Sequence, residues 1–158
     1  MKNSNGERYV KNYSHIITAS KQKVFPLLCP VKEYDWIDGW TCNMIYSESG
    51  FAEKDCIFTT NLPGAGDCIY VVSRFEMNER IEFVITSPGS HVEKLEIELE
   101  DCGEECTKLN WTRIYTSLTE KGQNFLEQYT TEAIDQRMEW IGRSLNHYCK
   151  TGELLLKK

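Results

Sequence analysis

Apolar and polar residues alternate through most of the chain up to Ser117, after which the apolar spacing changes to three and four. The clearest alternation is in His91–Glu100, where Leu95, Ile97 and Leu99 interleave with Lys94, Glu96, Glu98 and Glu100. Period two of this kind predicts a strand with one buried and one wet face. The same reading gives strands at Tyr9–Thr18, Cys42–Ser47, Asp55–Asn61, Asp67–Glu76, Arg80–Thr86 and Thr107–Ser117. Turn-forming residues separate the later strands, among them Leu62-Pro63-Gly64-Ala65-Gly66, Ser87-Pro88-Gly89 and Asp101-Cys102-Gly103. Short turns and a solvated face predict an antiparallel sheet. Between the first two strands, Ser20 is an N-cap candidate for a short helix through Val24, Phe25, Leu27 and Leu28. Pro26 and Pro30 limit that helix, and a second short helical or turn segment runs from Val31 to Trp36.

From Thr119 to about Cys149, Leu126, Thr130, Ile134, Met138, Ile141 and Leu145 form one apolar stripe. Phe125, Tyr129, Ala133, Trp140 and Tyr148 widen it. Such a helix is about 40 Å long at the α-helical rise, enough to cross a whole sheet. The predicted class is therefore α+β, a curved antiparallel sheet of six to seven strands around a long C-terminal helix. Two short helices after the first strand plug one end. The length of 158 residues suits one domain over 1–158 with its core at about 9–150, and a cavity between helix and sheet is expected.

This order of elements agrees with a resemblance carried by Val24–Trp40, Tyr46-Ser47-Glu48-Ser49-Gly50, Ile57-Phe58-Thr59-Thr60, Thr107–Arg113 and Leu145–Tyr148. These segments resemble the SRPBCC superfamily, the START-related, birch-pollen-allergen-like helix-grip proteins, from about Tyr13 to Gly152. The resemblance implies a deep cavity for apolar or amphipathic small molecules. The superfamily includes lipid carriers, hormone receptors, polyketide cyclases and chaperone ATPase activators, so fold alone does not select an activity.

Composition narrows the alternatives. A net charge of −6 without a Lys/Arg stripe argues against a nucleic-acid partner; Lys157-Lys158 reads as a solvated tail. No apolar run reaches the length of a membrane span, and no secretory signal is visible, so the chain is expected to be cytoplasmic. All seven cysteines are accordingly expected to be free thiols. Cys102 and Cys106 form a C-x-x-x-C pair, and the histidines at 15, 91 and 147 are scattered, so no metal site and no cofactor is expected. The Asn-x-Ser/Thr triplets at Asn12 and Asn110 read as chance matches.

The candidate chemistry is sparse. Glu33, Asp35 and Asp38 lie beside Trp36 and Trp40, either as acid–base groups in a pocket or as solvated carboxylates next to two anchoring indoles. Leu109, Trp111, Arg113 and Tyr115 share one strand face. If that face is concave, Arg113 is a ligand-anion contact; if convex, it is a surface arginine. His91 reads as a surface histidine, and Met138 and Trp140 as core or cavity wall. The expected cavity-lining residues are Trp36, Trp40, Phe58, Tyr70, Phe83, Trp111, Arg113 and Met138, around a volume of roughly 300–1,000 Å³, usual for such sites. The absence of a catalytic motif favours a binding protein or carrier over a polyketide cyclase or dehydratase, or an adaptor or chaperone co-factor using an exposed apolar patch.

Overall fold

A computed structural model describes residues 6–62 and 66–157. Seven strands form one sheet: β1 (Arg8–Ile17), β2 (Asn43–Tyr46), β3 (Ile57–Leu62), β4 (Gly66–Glu76), β5 (Arg80–Ser87), β6 (His91–Gly103) and β7 (Cys106–Ser117). Their spatial order is β1-β7-β6-β5-β4-β3-β2, and every neighbouring pair is antiparallel. Sequential hairpins thus build all of the sheet except β1, which closes beside the last strand. Residues Pro63 to Ala65, in the expected β3–β4 turn, lie outside the described residues, but Leu62 pairs with Gly66 across it.

One face of the sheet is apolar because period two holds across five hairpin-linked strands. Phe83 opposes Leu95 and Ile97 opposes Trp111. In β4 the parity changes at Ser73, an extra residue between the pairs Val72–Phe83 and Arg74–Glu82. Before this bulge Cys68 and Val72 are buried, and after it Phe75 packs against the core. A bulge bends its strand and increases local twist, which helps the sheet curl about the helix.

The segment after β1 differs in detail from the sequence expectation. It forms α1 (Lys21–Val24), a 3₁₀ turn at Phe25–Leu28, and α2 (Pro30–Glu33). Ser20 stands at the N-cap of α1 without a side-chain cap bond. Pro26 does not end the segment but sits in the first turn of the 3₁₀ piece, and Pro30 opens α2. A proline at the start of a helix gives up an amide that had no partner there.

The long helix comprises α3 (Glu120–Gln128), a π-helical turn at Tyr129–Ala133, and α4 (Ile134–Thr151). Thr119 caps it by accepting from the Gly122 amide, while its own hydroxyl donates to the Gly89 carbonyl at 2.6 Å. Gly122 packs on the turn between β5 and β6, where a Cβ would stand 1.8 Å from the Ser90 carbonyl oxygen. No larger residue fits this junction without separating helix from sheet. At the other end Gly152, with φ of 73°, closes α4, a conformation that glycine adopts without steric cost. The stripe Leu126, Thr130, Ile134, Met138, Ile141 and Leu145 is buried as its spacing predicts. Ala133 is instead exposed. The wide π turn rotates the following residues, so that Ile134 takes the core-facing place that uniform α-helix gives to residue 133. Among the described residues no helix is long and apolar enough to cross a membrane.

The cysteines require a correction. Cys102 and Cys106 form a disulfide, with Cα atoms 5.1 Å apart, and Cys29, Cys42, Cys56, Cys68 and Cys149 are not disulfide-bonded. The β6–β7 hairpin brings the two together: Gly103 pairs with Cys106, and the irregularity between Asp101 and Gly103 accommodates Cys102. The separation falls within the range a disulfide needs, a proximity that sequence spacing alone does not reveal. The bridge also removes the thiol-based argument for a reducing compartment. Alkylation of denatured, unreduced protein should therefore add five groups by mass, and seven after reduction; seven adducts without reductant would refute the bridge.

Candidate ligand cavity

The concave face, α2 and α4 enclose a cavity of about 200 Å³. This is smaller than the sequence-based expectation, because large side chains occupy the space between helix and sheet. Trp36, Trp40, Phe58, Tyr70, Phe83, Trp111 and Arg113 all line it. Met138 does not: it is fully buried in the core, and Tyr129, Arg137 and Ile141 form the long helix's share of the wall. Gly39, Thr41, Asn61 and Lys157 are the exposed members of the lining and mark its mouth. There the C-terminal segment folds back, with the Lys157 amide donating to Asp38 Oδ2 at 2.9 Å and its ammonium 4.4 Å from the Trp140 ring centre.

The two indoles have both structural and lining roles. Trp36 Nε1 donates to the Leu27 carbonyl at 2.7 Å, and Trp40 Nε1 to the Pro30 carbonyl at 2.9 Å. Each therefore ties the loop after α2 to the helical segment before it while presenting ring surface to the cavity. On the opposite wall Phe58 stacks on Tyr70 at 4.6 Å between centroids, and Phe83 meets both rings edge-on. Phe58 and Tyr70 are register partners and Phe83, the partner of Val72, lies diagonal to Tyr70, so strand register assembles the cluster.

The polar groups sort differently from the sequence reading. The β7 face carrying Arg113 is concave, and Arg113 Nη1 donates to Glu93 Oε2 at 2.6 Å, with side-chain exposures of 13% and 8%. Burial works against the guanidinium charge, but Glu93 and the phenols of Tyr115, Tyr129 and Tyr70 hold its pKa above the ordinary arginine value. An ion pair this enclosed is costly to split, because the partner left behind keeps its charge without water. Arg113 is thus already committed to Glu93. Arg137 on α4 lines the same cavity, and among the described residues its guanidinium makes no hydrogen bond or ion pair. Sequence reasoning missed Arg137; its place four residues before Ile141, on the margin of the apolar stripe, is the signal that could have found it.

Of the three carboxylates near the indoles, Asp35 is exposed and Asp38 stands at the mouth, but Glu33 lines the cavity. Burial pushes its carboxyl up to about 8 from the usual 4.5, against the pull of Arg137 and Arg113. His91 also departs from expectation. It is 1% exposed rather than a surface residue. Its Nδ1 is 2.8 Å from Ser90 Oγ and its ring stacks on Phe125 at 5.4 Å. The cause is the β5–β6 turn, which the start of α3 covers. Burial lowers the His91 pKa and so favours the neutral ring. Among the described residues no group of three or more His, Cys, Asp or Glu side chains is placed to hold a metal ion.

No family model matches this sequence, and no curated protein aligns with it significantly. Solved structures do match. DynU16, a protein in the dynemicin biosynthetic locus, superposes with a TM-score of 0.63 and 16% identity over 91% of this chain. The chain spans only 48% of that protein's length. Norcoclaurine synthase from Thalictrum flavum, solved with dopamine and hydroxybenzaldehyde, gives a TM-score of 0.63 at 12% identity, covering 88% of this chain and 87% of that one. Ara h 8.0201 gives 0.62 at 9% identity, covering 90% and 97%. These likenesses establish the fold: the chain has the helix-grip fold that its resemblance to the SRPBCC superfamily implies.

Glu33 makes stability depend on pH. Between about pH 4.5 and 8 the folded protein keeps the Glu33 proton that the unfolded chain releases. Its stabilising contribution is therefore complete below that window and is lost as pH rises through it. The urea midpoint of the wild type should fall between about pH 5 and pH 9 more steeply than that of Glu33→Gln; parallel curves would place the Glu33 carboxyl in water.

Proposed function

We propose that this protein binds a small amphipathic molecule in the cavity between sheet and long helix. The observation that carries this reading is the division of one enclosed space into an aromatic wall and a few convergent polar groups. Pockets for small molecules have that composition, with apolar surface supplying affinity and a few polar groups fixing orientation. The volume limits the ligand. An apolar cavity of about 150 Å³ is enough to hold benzene, so the space here suits a molecule built on one ring rather than a long acyl chain. The neighbour solved with dopamine and hydroxybenzaldehyde supports the size, since both compounds are single-ring aromatics. Exposed apolar side chains near β2, Ile45, Tyr46 and Phe51, keep surface recognition as a weaker alternative.

Neutral single-ring compounds such as benzyl alcohol should raise the melting temperature in a concentration-dependent way, because only the folded state has the cavity. For ligands of this size a Kd on the order of 0.1 mM is expected. Hexadecanoate, too long to be enclosed, should give a smaller shift at equal concentration. A larger shift with hexadecanoate, or none with any single-ring compound, would count against this reading.

Glu33 favours a second reading, an acid–base enzyme of cyclase or dehydratase type acting on the same ligand. A carboxyl titrating near neutral pH inside a ligand cavity suits proton transfer. In that case a single-ring ketone with an acidic α-carbon should exchange that proton for deuterium in heavy water when the protein is present. Glu33→Gln should stop the exchange while leaving binding intact; no exchange above the buffer rate would leave binding alone.

A further inference from the structure

The charged groups on the cavity wall constrain what the ligand must offer. The Arg113–Glu93 pair is internally neutral. Glu33, its carboxyl raised to about 8 by desolvation, is mainly protonated at neutral pH. At the mouth the Lys157 amide donates to Asp38 while its ammonium lies over the Trp140 ring, outside the aromatic interior. What remains is the guanidinium of Arg137, half-buried, lining the cavity and without a hydrogen bond or ion pair among the described residues. Arg137 is thus a partly exposed guanidinium at the cavity wall whose hydrogen-bond donors are open to an anion.

A second observation points the same way. Trp111 Nε1 and Arg113 Nε are buried on lining residues and have no acceptor among the described residues. Both are donors that cannot accept. With Arg137 they give the cavity three donor groups seeking acceptors, beside an aromatic wall that includes Phe58, Tyr70 and Trp111. A cationic or donor-rich ligand would leave these groups unsatisfied and would meet the Arg137 charge. An anion offers the acceptors that such donors need, and carboxylates match the guanidinium fork.

Building on the cavity-binding reading above, we infer that the ligand is a single-ring aromatic carboxylate, with its ring on the aromatic wall and its carboxylate received by Arg137. This assigns to Arg137 the anion contact that the sequence suggested for Arg113. Arg113 instead contributes through Glu93, whose carboxylate it neutralises, so that the incoming anion is not repelled.

Titration calorimetry of the full chain with benzoate, benzyl alcohol and benzylamine tests the inference. Benzoate should bind about tenfold or more tightly than benzyl alcohol, the effect of one charge-assisted hydrogen-bonded contact, and benzylamine most weakly. Arg137→Gln should bring benzoate down to the affinity of benzyl alcohol while leaving benzyl alcohol within about twofold of its wild-type value. If Arg137→Gln does not fold, Arg137→Lys serves: it keeps the charge without the planar fork and should lose several-fold in benzoate affinity. Benzyl alcohol or benzylamine binding as tightly as benzoate overturns this inference and leaves cavity binding standing. Benzoate affinity unchanged in the Arg137 variant also overturns it. If none of the three binds to the folded protein, the inference and the cavity-binding reading fall together.

Discussion

The long helix must keep one apolar stripe facing a curved sheet from Leu126 to Leu145, and the rest of the molecule depends on that phase being held. An uninterrupted α-helix drifts relative to a fixed partner surface over so many turns. The π-helical turn at Tyr129–Ala133 resets the phase part-way along. It keeps Ile134, Met138 and Ile141 buried while leaving Tyr129 on the cavity wall. The cap at Thr119 and the close contact of Gly122 with Ser90 fix where the helix begins, so its register against the strands is set from one end. Arg137 reaches the cavity only because this register holds.

The cavity illustrates how a low-dielectric space sorts similar groups into different roles. Arg113 and Arg137 have the same chemistry, yet Arg113 is partnered by Glu93 from the adjacent strand, whereas among the described residues Arg137 makes no hydrogen bond or ion pair. Glu93 and Glu33 are likewise both enclosed carboxyl groups. Glu93 faces a guanidinium at hydrogen-bonding distance, whereas Glu33 feels Arg137 and Arg113 too weakly to offset its burial. The difference is one of geometry, since Coulomb attraction and desolvation are both strong here and distance decides which dominates.

Several features were legible because they are periodic. Alternation in Lys94–Glu100 and the stripe from Leu126 to Leu145 each identify a buried face without knowledge of the partner surface, and aromatic residues elsewhere, such as Phe58, Tyr70, Phe83 and Trp111, line the cavity as expected. Other features were not legible because they depend on a partner distant in sequence. His91 looks like an isolated strand-end histidine until α3 covers it and Phe125 stacks on its ring. Cys102 and Cys106 look like unrelated thiols until the hairpin register brings them together.

Sequence by itself determined an antiparallel sheet covered by one long helix, because period two and a three-to-four stripe are local patterns that fix which faces must be covered. It also determined that aromatic side chains would be available between sheet and helix. Only the tertiary structure decided which charged groups share the enclosed space and which are already neutralised there. Strand parity placed Arg113 and Glu93 on one face, helix phase brought Arg137 to the same cavity, and Glu33 turned inward from α2. Those outcomes depend on distances between elements far apart in the chain, and electrostatic energy in a dry cavity varies too steeply with distance to be read from composition or spacing.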